Sequence, residues 1–139
     1  MSIIQTLTNS FKVELLEGIH DFTTDTFKIA LYSSTASLGA DTTVYSTNEE
    51  VINLTYTPGG NALVVAGPDL SGATAYVSFN DVIWENATFT AAGALIYNSS
   101  KDDKSVAVLN FGNNKTVNNG AFTVQFPPNT VSTALIRIG

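Results

Sequence analysis

FTAAGALIYNSSKDDKSVAVLNF, residues 89–111, contains two runs that are apolar or small on both faces, parted by a polar turn. In the first run Phe89, Ala91, Leu95 and Tyr97 share one parity, and Ala92, Ala94 and Ile96 the other. In the second run Val106 and Val108 oppose Ala107, Leu109 and Phe111. A strand with one wet face alternates apolar and polar residues, whereas a strand apolar on both faces must be covered on both. Residues 99–104 between the runs are polar and turn-forming. The stretch therefore predicts a hairpin at the centre of a sheet.

Period-two patterning continues on either side. Residues 26–32 set Phe27, Ile29 and Leu31 against Lys28, the signature of a half-buried strand. Residues 51–57, closed by Pro58-Gly59-Gly60, and residues 62–66, closed by Gly67-Pro68-Asp69, are further strand candidates, with another turn at Ser71-Gly72. Residues 73–79 place Ala75, Val77 and Phe79 on one face. The parity slips at Asn80-Asp81 before Val82 and Trp84, which predicts a bulge or tight corner. Residues 112–120 read as an Asn-rich loop. Residues 121–126 alternate Phe122, Val124 and Phe126 up to Pro127-Pro128, and residues 131–138 read as the last strand. Residues 33–48 are rich in Ser, Thr, Ala and Gly, with Leu38, Val44 and Tyr45 as their larger anchors. They read as a long loop with a short edge strand near Tyr45.

Only the N-terminus has a helical period. Ile4, Leu7, Phe11, Leu15 and Ile19 recur at three- and four-residue spacing, widened by Val13 and Leu16. Gly18 stands where a helix stop is expected, and Thr8-Asn9-Ser10 offers an internal start. The expected architecture is one domain over residues 1–139. It has an N-terminal amphipathic helix or arm over 1–20 and an all-β body over 22–139, a β-sandwich or jelly-roll-like domain of seven to eight strands.

Charged residues make up 13% of the 139 residues, against about 25% in an average domain. The surface is then mostly Thr, Ser and Asn, and a neutral surface is easier to bury against a partner than a charged one. The formal net charge is −6, and six scattered basic residues cannot form a phosphate-tracking stripe, so nucleic acid is not an expected partner. Cysteine is absent, which removes disulfides, thiol catalysis and Cys-ligated zinc. No apolar run approaches the roughly 20 residues a membrane helix needs, and the opening Met1-Ser2-Ile3-Ile4-Gln5 lacks a basic signal region. A soluble chain, without membrane contact and not exported by the usual route, is the expectation.

Catalytic readings are thin. His20 and Asp21 are a base and a carboxylate by type, but catalytic pairs meet in space rather than as sequence neighbours. Asp102-Asp103 lacks the spaced oxygen ligands that calcium wants and reads as a solvated hairpin tip. Glu49 and Glu50 would point to opposite faces of a strand. Trp84, Tyr32, Tyr45, Tyr56, Tyr76 and Tyr97 invite a sugar-stacking reading, yet most occupy inward parity, where core packing is simpler. No enzyme activity, cofactor or metal is expected. The doubly apolar strands suggest that a second subunit supplies part of their cover, hence a homo-oligomer, dimer or trimer.

Several runs resemble a family of small tailed-bacteriophage virion proteins. They are FKVELLEGIHDF (11–22), DTFKIALY (25–32), WENAT (84–88), GALIYN (93–98) and VAVLNFG (106–112). The resemblance covers most of the chain and is weakest over residues 33–68. It implies a head decoration, or cement, protein on the capsid exterior, made in the host cytoplasm. The implied partner is the major capsid protein. Ile4, Leu7, Phe11 and Leu15 of the arm and Leu38, Val44 and Tyr45 of the long loop are the expected capsid or subunit contacts. A tail, baseplate or neck component and a carbohydrate-binding module for host attachment are the alternatives.

Overall fold

In the computed structural model, which describes residues 2–139, the chain forms β1 (Thr6–Leu7), α1 (Asn9–Leu16), β2 (Phe27–Tyr32), β3 (Asn61–Ala62), β4 (Val65–Ser71), β5 (Thr74–Phe79), β6 (Val82–Asn98), β7 (Lys104–Val124) and β8 (Ile136–Ile138). The fold is all-β and sandwich-like. A five-stranded antiparallel sheet in the order β1-β7-β6-β2-β3 faces a three-stranded one in the order β4-β5-β8.

The central hairpin is present and longer than its two apolar runs. Strands β6 and β7 pair from Asn98↔Lys104 at the turn to Val82↔Val124 at the far end. Residues 112–120 are therefore not a loop: Lys115, Thr116 and Val117 pair with Ala91, Thr90 and Phe89. The Asn-rich pieces sit at irregularities instead. Residues 111–114 bulge out opposite Ala92, and Asn86 and Asn119 take positive φ beside two other register shifts. Asn visits that left-handed region more readily than most residues, so the composition that signals a loop also suits a bulge.

The shift at Ala91/Gly93 also corrects the face assignment. Phe89 and Ala91 share a core with Ala94 and Ile96, while Ala92, Leu95 and Tyr97 lie on the opposite side. Gly93 is required there, because a Cβ would lie 2.6 Å from the Leu109 carbonyl oxygen and 2.8 Å from Ile3. At Asn80-Asp81 the chain leaves the small sheet for the large one, which is the predicted corner.

Where β6 and β7 are apolar on both sides, both faces of the large sheet are covered by this same chain. The main core, between the sheets, gathers Phe11, Phe22, Phe27, Ile29, Phe79 and Trp84 among others. On the opposite face Ile3, Ala36, Leu38 and Tyr45 close over Ala30, Tyr32, Leu95 and Val108. The N-terminal segment and the loop at residues 33–48 thus supply the second layer. No second subunit is needed for it, which removes the burial argument for a homo-oligomer.

The helix spans Asn9–Leu16, so of the starts the sequence offers it takes the internal one at Thr8-Asn9-Ser10, and the described residues on either side of it up to 20 form a non-helical arm. Ile4 precedes the helix, Leu7 pairs with Ala107 in β1, and Ile19 follows the stop at Gly18. The three- and four-residue spacing runs across a strand–helix junction, where only Phe11 and Leu15 form a true helical pair. Thr8 is the N-cap, accepting from the Phe11 N–H at 3.4 Å. Three strand readings also change. Residues 51–57 are an irregular segment with a single Asn53↔Tyr56 bridge, and of residues 131–138 only Ile136–Ile138 pair. Residues 62–66 are divided between β3 and β4, and β4 continues through Gly67-Pro68-Asp69, which is an irregularity in the strand rather than its end.

Candidate functional site

Two polar centres are built into the fold. The first is Glu50, a buried carboxylate. Its Oε1 accepts from the Tyr45 hydroxyl at 2.6 Å, and its Oε2 accepts from the Tyr56 hydroxyl at 2.5 Å and from the Gly59 N–H at 2.8 Å. Tyr56 Oη in turn accepts the Leu31 N–H at 2.9 Å, so a side chain replaces a strand partner on the edge of β2. Tyr97 stacks on Tyr45 with ring centroids 4.6 Å apart and donates to the Gly59 carbonyl at 2.6 Å. Burial, aided by the neighbouring Asp103 and Glu50 charges, pushes the Tyr97 hydroxyl up to about 12, and burial with the bond to Glu50 raises Tyr45 and Tyr56 as well. These hydroxyls are permanent donors at neutral pH. Hydrogen bonds from neutral groups thus hold the buried charge, and no cation lies within salt-bridge distance of it among the described residues.

The second centre joins the helix, the turn after it and the hairpin tip. His20 is buried. Its Nε2 lies 2.9 Å from Glu14 Oε1, and its Nδ1 lies 3.1 Å from Asn98 Nδ2. An amide nitrogen only donates, so Nδ1 accepts and Nε2 carries the proton that goes to Glu14. Both ring nitrogens are engaged, and the partner is Glu14 rather than the adjacent Asp21. Asn98 also donates to Asp25 at 2.8 Å, and Lys101 Nζ bonds Asp25 at 2.9 Å and the Ile19 carbonyl at 2.8 Å. Asp103 and Asp102, with positive φ, form the hairpin tip, as the sequence suggests.

Desolvation opposes the charge on Asp25, but the bonds from Asn98, the Asp21 N–H and Lys101 together outweigh it and hold its pKa below the ordinary 3.8. A lowered folded-state pKa gives stability that is complete above the unfolded value and is lost as pH falls through the folded one. The unfolding free energy is therefore expected to drop below about pH 4, and less so in Asp25→Asn. Urea unfolding of both proteins from pH 6 to pH 2 reads the difference. Parallel pH profiles would remove Asp25 from the account.

The expected contact residues scatter. Phe11 is 1% exposed, packed against the tilted His20 ring and the edge-on Phe22 ring in the main core, so it cannot meet another subunit. Leu7 and Leu15 are half-buried against that core, and Leu38 and Tyr45 against the second. Ile4 and Val44 remain exposed, and with Leu38 they line one shallow groove. The most exposed large apolar side chains lie elsewhere: Ile52 at 96%, Leu54 fully, and Leu16 at 91%. Ile52 and Leu54 stand on residues 51–56, whose ends, Val51 and Tyr56, are buried. The tip between them is fastened. Asn53 Oδ1 accepts from the Thr55 N–H at 2.9 Å, and Thr55 Oγ1 exchanges bonds with the Thr88 backbone at 2.9 and 3.2 Å. The sequence carried this signal as two apolar residues beside the Pro58-Gly59-Gly60 turn, but period-two spacing folded them into a supposed strand.

Four of the six aromatics weighed for sugar stacking are core residues, and Tyr45 and Tyr76 are half-exposed. Trp84 is 5% exposed between Tyr56 and Phe122, and Tyr32, Tyr56 and Tyr97 are also buried, so their faces are not available for stacking on a sugar. The described residues contain no cluster of three or more His, Asp or Glu spaced to hold a metal ion. None of the described helices is long and apolar enough to cross a membrane. No protein-family model, curated protein or solved structure matches the chain.

Proposed function

We propose that this chain is a non-enzymatic structural protein of a tailed-bacteriophage virion, a decoration protein that docks on the capsid exterior and ties capsomers together. The observation that carries the proposal is the Ile52/Leu54 loop: two fully exposed apolar side chains on a fastened tip, in a domain whose other apolar layers are closed by its own chain. Isolated exposed apolar residues are common, but a rigid pair at a loop tip costs little ordering entropy on docking. The low charge of the surface and the resemblance noted above support the same reading. Copies on a symmetric lattice would add many weak contacts into a strong clamp.

The test is Ile52→Asp with Leu54→Asp. Because both side chains are exposed, stability is expected to change by no more than about 0.5 kcal/mol. Rebinding to particles that lack the protein is expected to weaken by at least roughly a hundredfold, from the loss of about 1.5–3 kcal/mol for each of the two buried apolar side chains. A folded double variant that rebinds with undiminished affinity would take the loop out of docking.

A further inference from the structure

The outer edge of β7 is covered from Lys104 to Asn110. Val44 bridges Lys104, the Thr43 carbonyl accepts the Ser105 N–H at 2.9 Å, the Thr8 N–H donates to the Val106 carbonyl at 3.0 Å, β1 pairs with Ala107 and Val108, and the Gln5 side chain accepts the Asn110 N–H at 3.1 Å. Beyond that point β7 has β6 on one side and no strand on the other among the described residues. The irregularities of its second half lie before Gly120 or on β6, so residues 120–124 are a regular stretch without charge or proline. Natural edges are normally blunted by such residues.

A groove of about 550 Å³ runs along this edge, within the roughly 300–1,000 Å³ typical of binding sites. Seven consecutive residues, 121–127, form one wall, as expected where a strand's edge rather than its face borders the space. The half-buried Leu109, Phe111, Val117 and Leu135 supply apolar floor and sides. Lys115 is the only charged residue in the lining, and it makes no ion pair among the described residues.

We infer that this edge and groove form a strand-addition site for an extended peptide segment of another protein. The segment has apolar side chains at alternate positions and a carboxylate where it passes Lys115. Unpaired N–H and C=O groups on residues 120–124 supply the main-chain bonds, and the groove takes every second side chain. A second copy of β7 suits the site less well, because two grooves brought together would enclose unfilled space. Lys115 to Val124 is ten residues, one of them extra at the bulge between Val117 and Gly120, so a partner strand of about nine residues is needed, at about 3.3 Å per residue. The inference does not depend on the virion assignment.

Two pools of nine-residue peptides test it, with Val, Leu or Phe at alternate positions, Thr between them, and one terminal residue that is Glu in one pool and Lys in the other. Each is titrated into the ¹⁵N-labelled protein. The Glu pool is expected to shift the amides of residues 120–124 and to bind about five- to tenfold more tightly than the Lys pool. Lys115→Glu, an exposed substitution, is expected to reverse the preference. Absence of binding by either pool at millimolar concentration, or shifts elsewhere on the protein, would overturn the site. Equal binding of the two pools would overturn the stated partner chemistry.

Discussion

Glu50→Ala is expected to lower the unfolding free energy by about 3–5 kcal/mol, because buried donors left without an acceptor each cost about 1–3 kcal/mol. The Tyr56 hydroxyl and the Gly59 N–H are enclosed and lose their only acceptor, while Tyr45 is half-exposed and can turn to water. The effect reaches beyond those bonds, since Tyr56 also receives the Leu31 N–H and holds residues 51–60 against β2. Glu50→Gln keeps the shape and one carbonyl oxygen, and the Tyr45 hydroxyl can rotate to accept from the new amide. Its cost is expected to be about 1 kcal/mol. Urea unfolding separates the two variants. If Glu50→Ala were as mild as Glu50→Gln, the tyrosine cage would have no stabilising role.

Gly60→Ala is expected to abolish the fold. The added Cβ would lie 1.7 Å from the Ile29 carbonyl oxygen and 2.9 Å from the Ala30 Cα, both backbone atoms that cannot turn aside. Its φ of +77° adds strain for any residue with a Cβ. Gly18→Ala isolates that second contribution, because Gly18 has nearly the same φ, +76°, with nothing within 4 Å of the added atom. A loss of about 1–2 kcal/mol is expected at Gly18, against more than about 5 kcal/mol at Gly60. Soluble yield and thermal unfolding of the pair check this, and equal losses would mean that backbone conformation alone sets the requirement at Gly60.

The pairing of β6 with β7 was legible because two runs apolar on both faces flank one short polar turn. Its continuation through residues 112–120 was not, since Asn and Gly serve bulges and loops alike. The helical stripe was overextended because Leu7 and Ile19 keep a helical spacing while lying outside the helix. Glu49 and Glu50 do point apart, one exposed and the other buried, but at a turn where Glu49 has a φ of +64° rather than on a strand. What Glu50 meets was hidden, because Tyr45, Tyr56 and Gly59 reach it from irregular backbone that carries no period. The same irregularity hid Ile52 and Leu54, which a strand reading sets on one face with Tyr56 and the structure turns outward. Phe11, sought as a contact, is spent on the chain's own core, while Leu15 is half-buried and Val13 and Leu16 on the same helix stay exposed.

The docking role rests on the chain repeating across a shell lattice, and its copy number in purified particles measures that directly. The account predicts about one copy for every one to three subunits of the most abundant shell protein, by quantitative mass spectrometry. A count of no more than about a few dozen per particle, the number a tail or neck position provides, or absence from the particle, would contradict it.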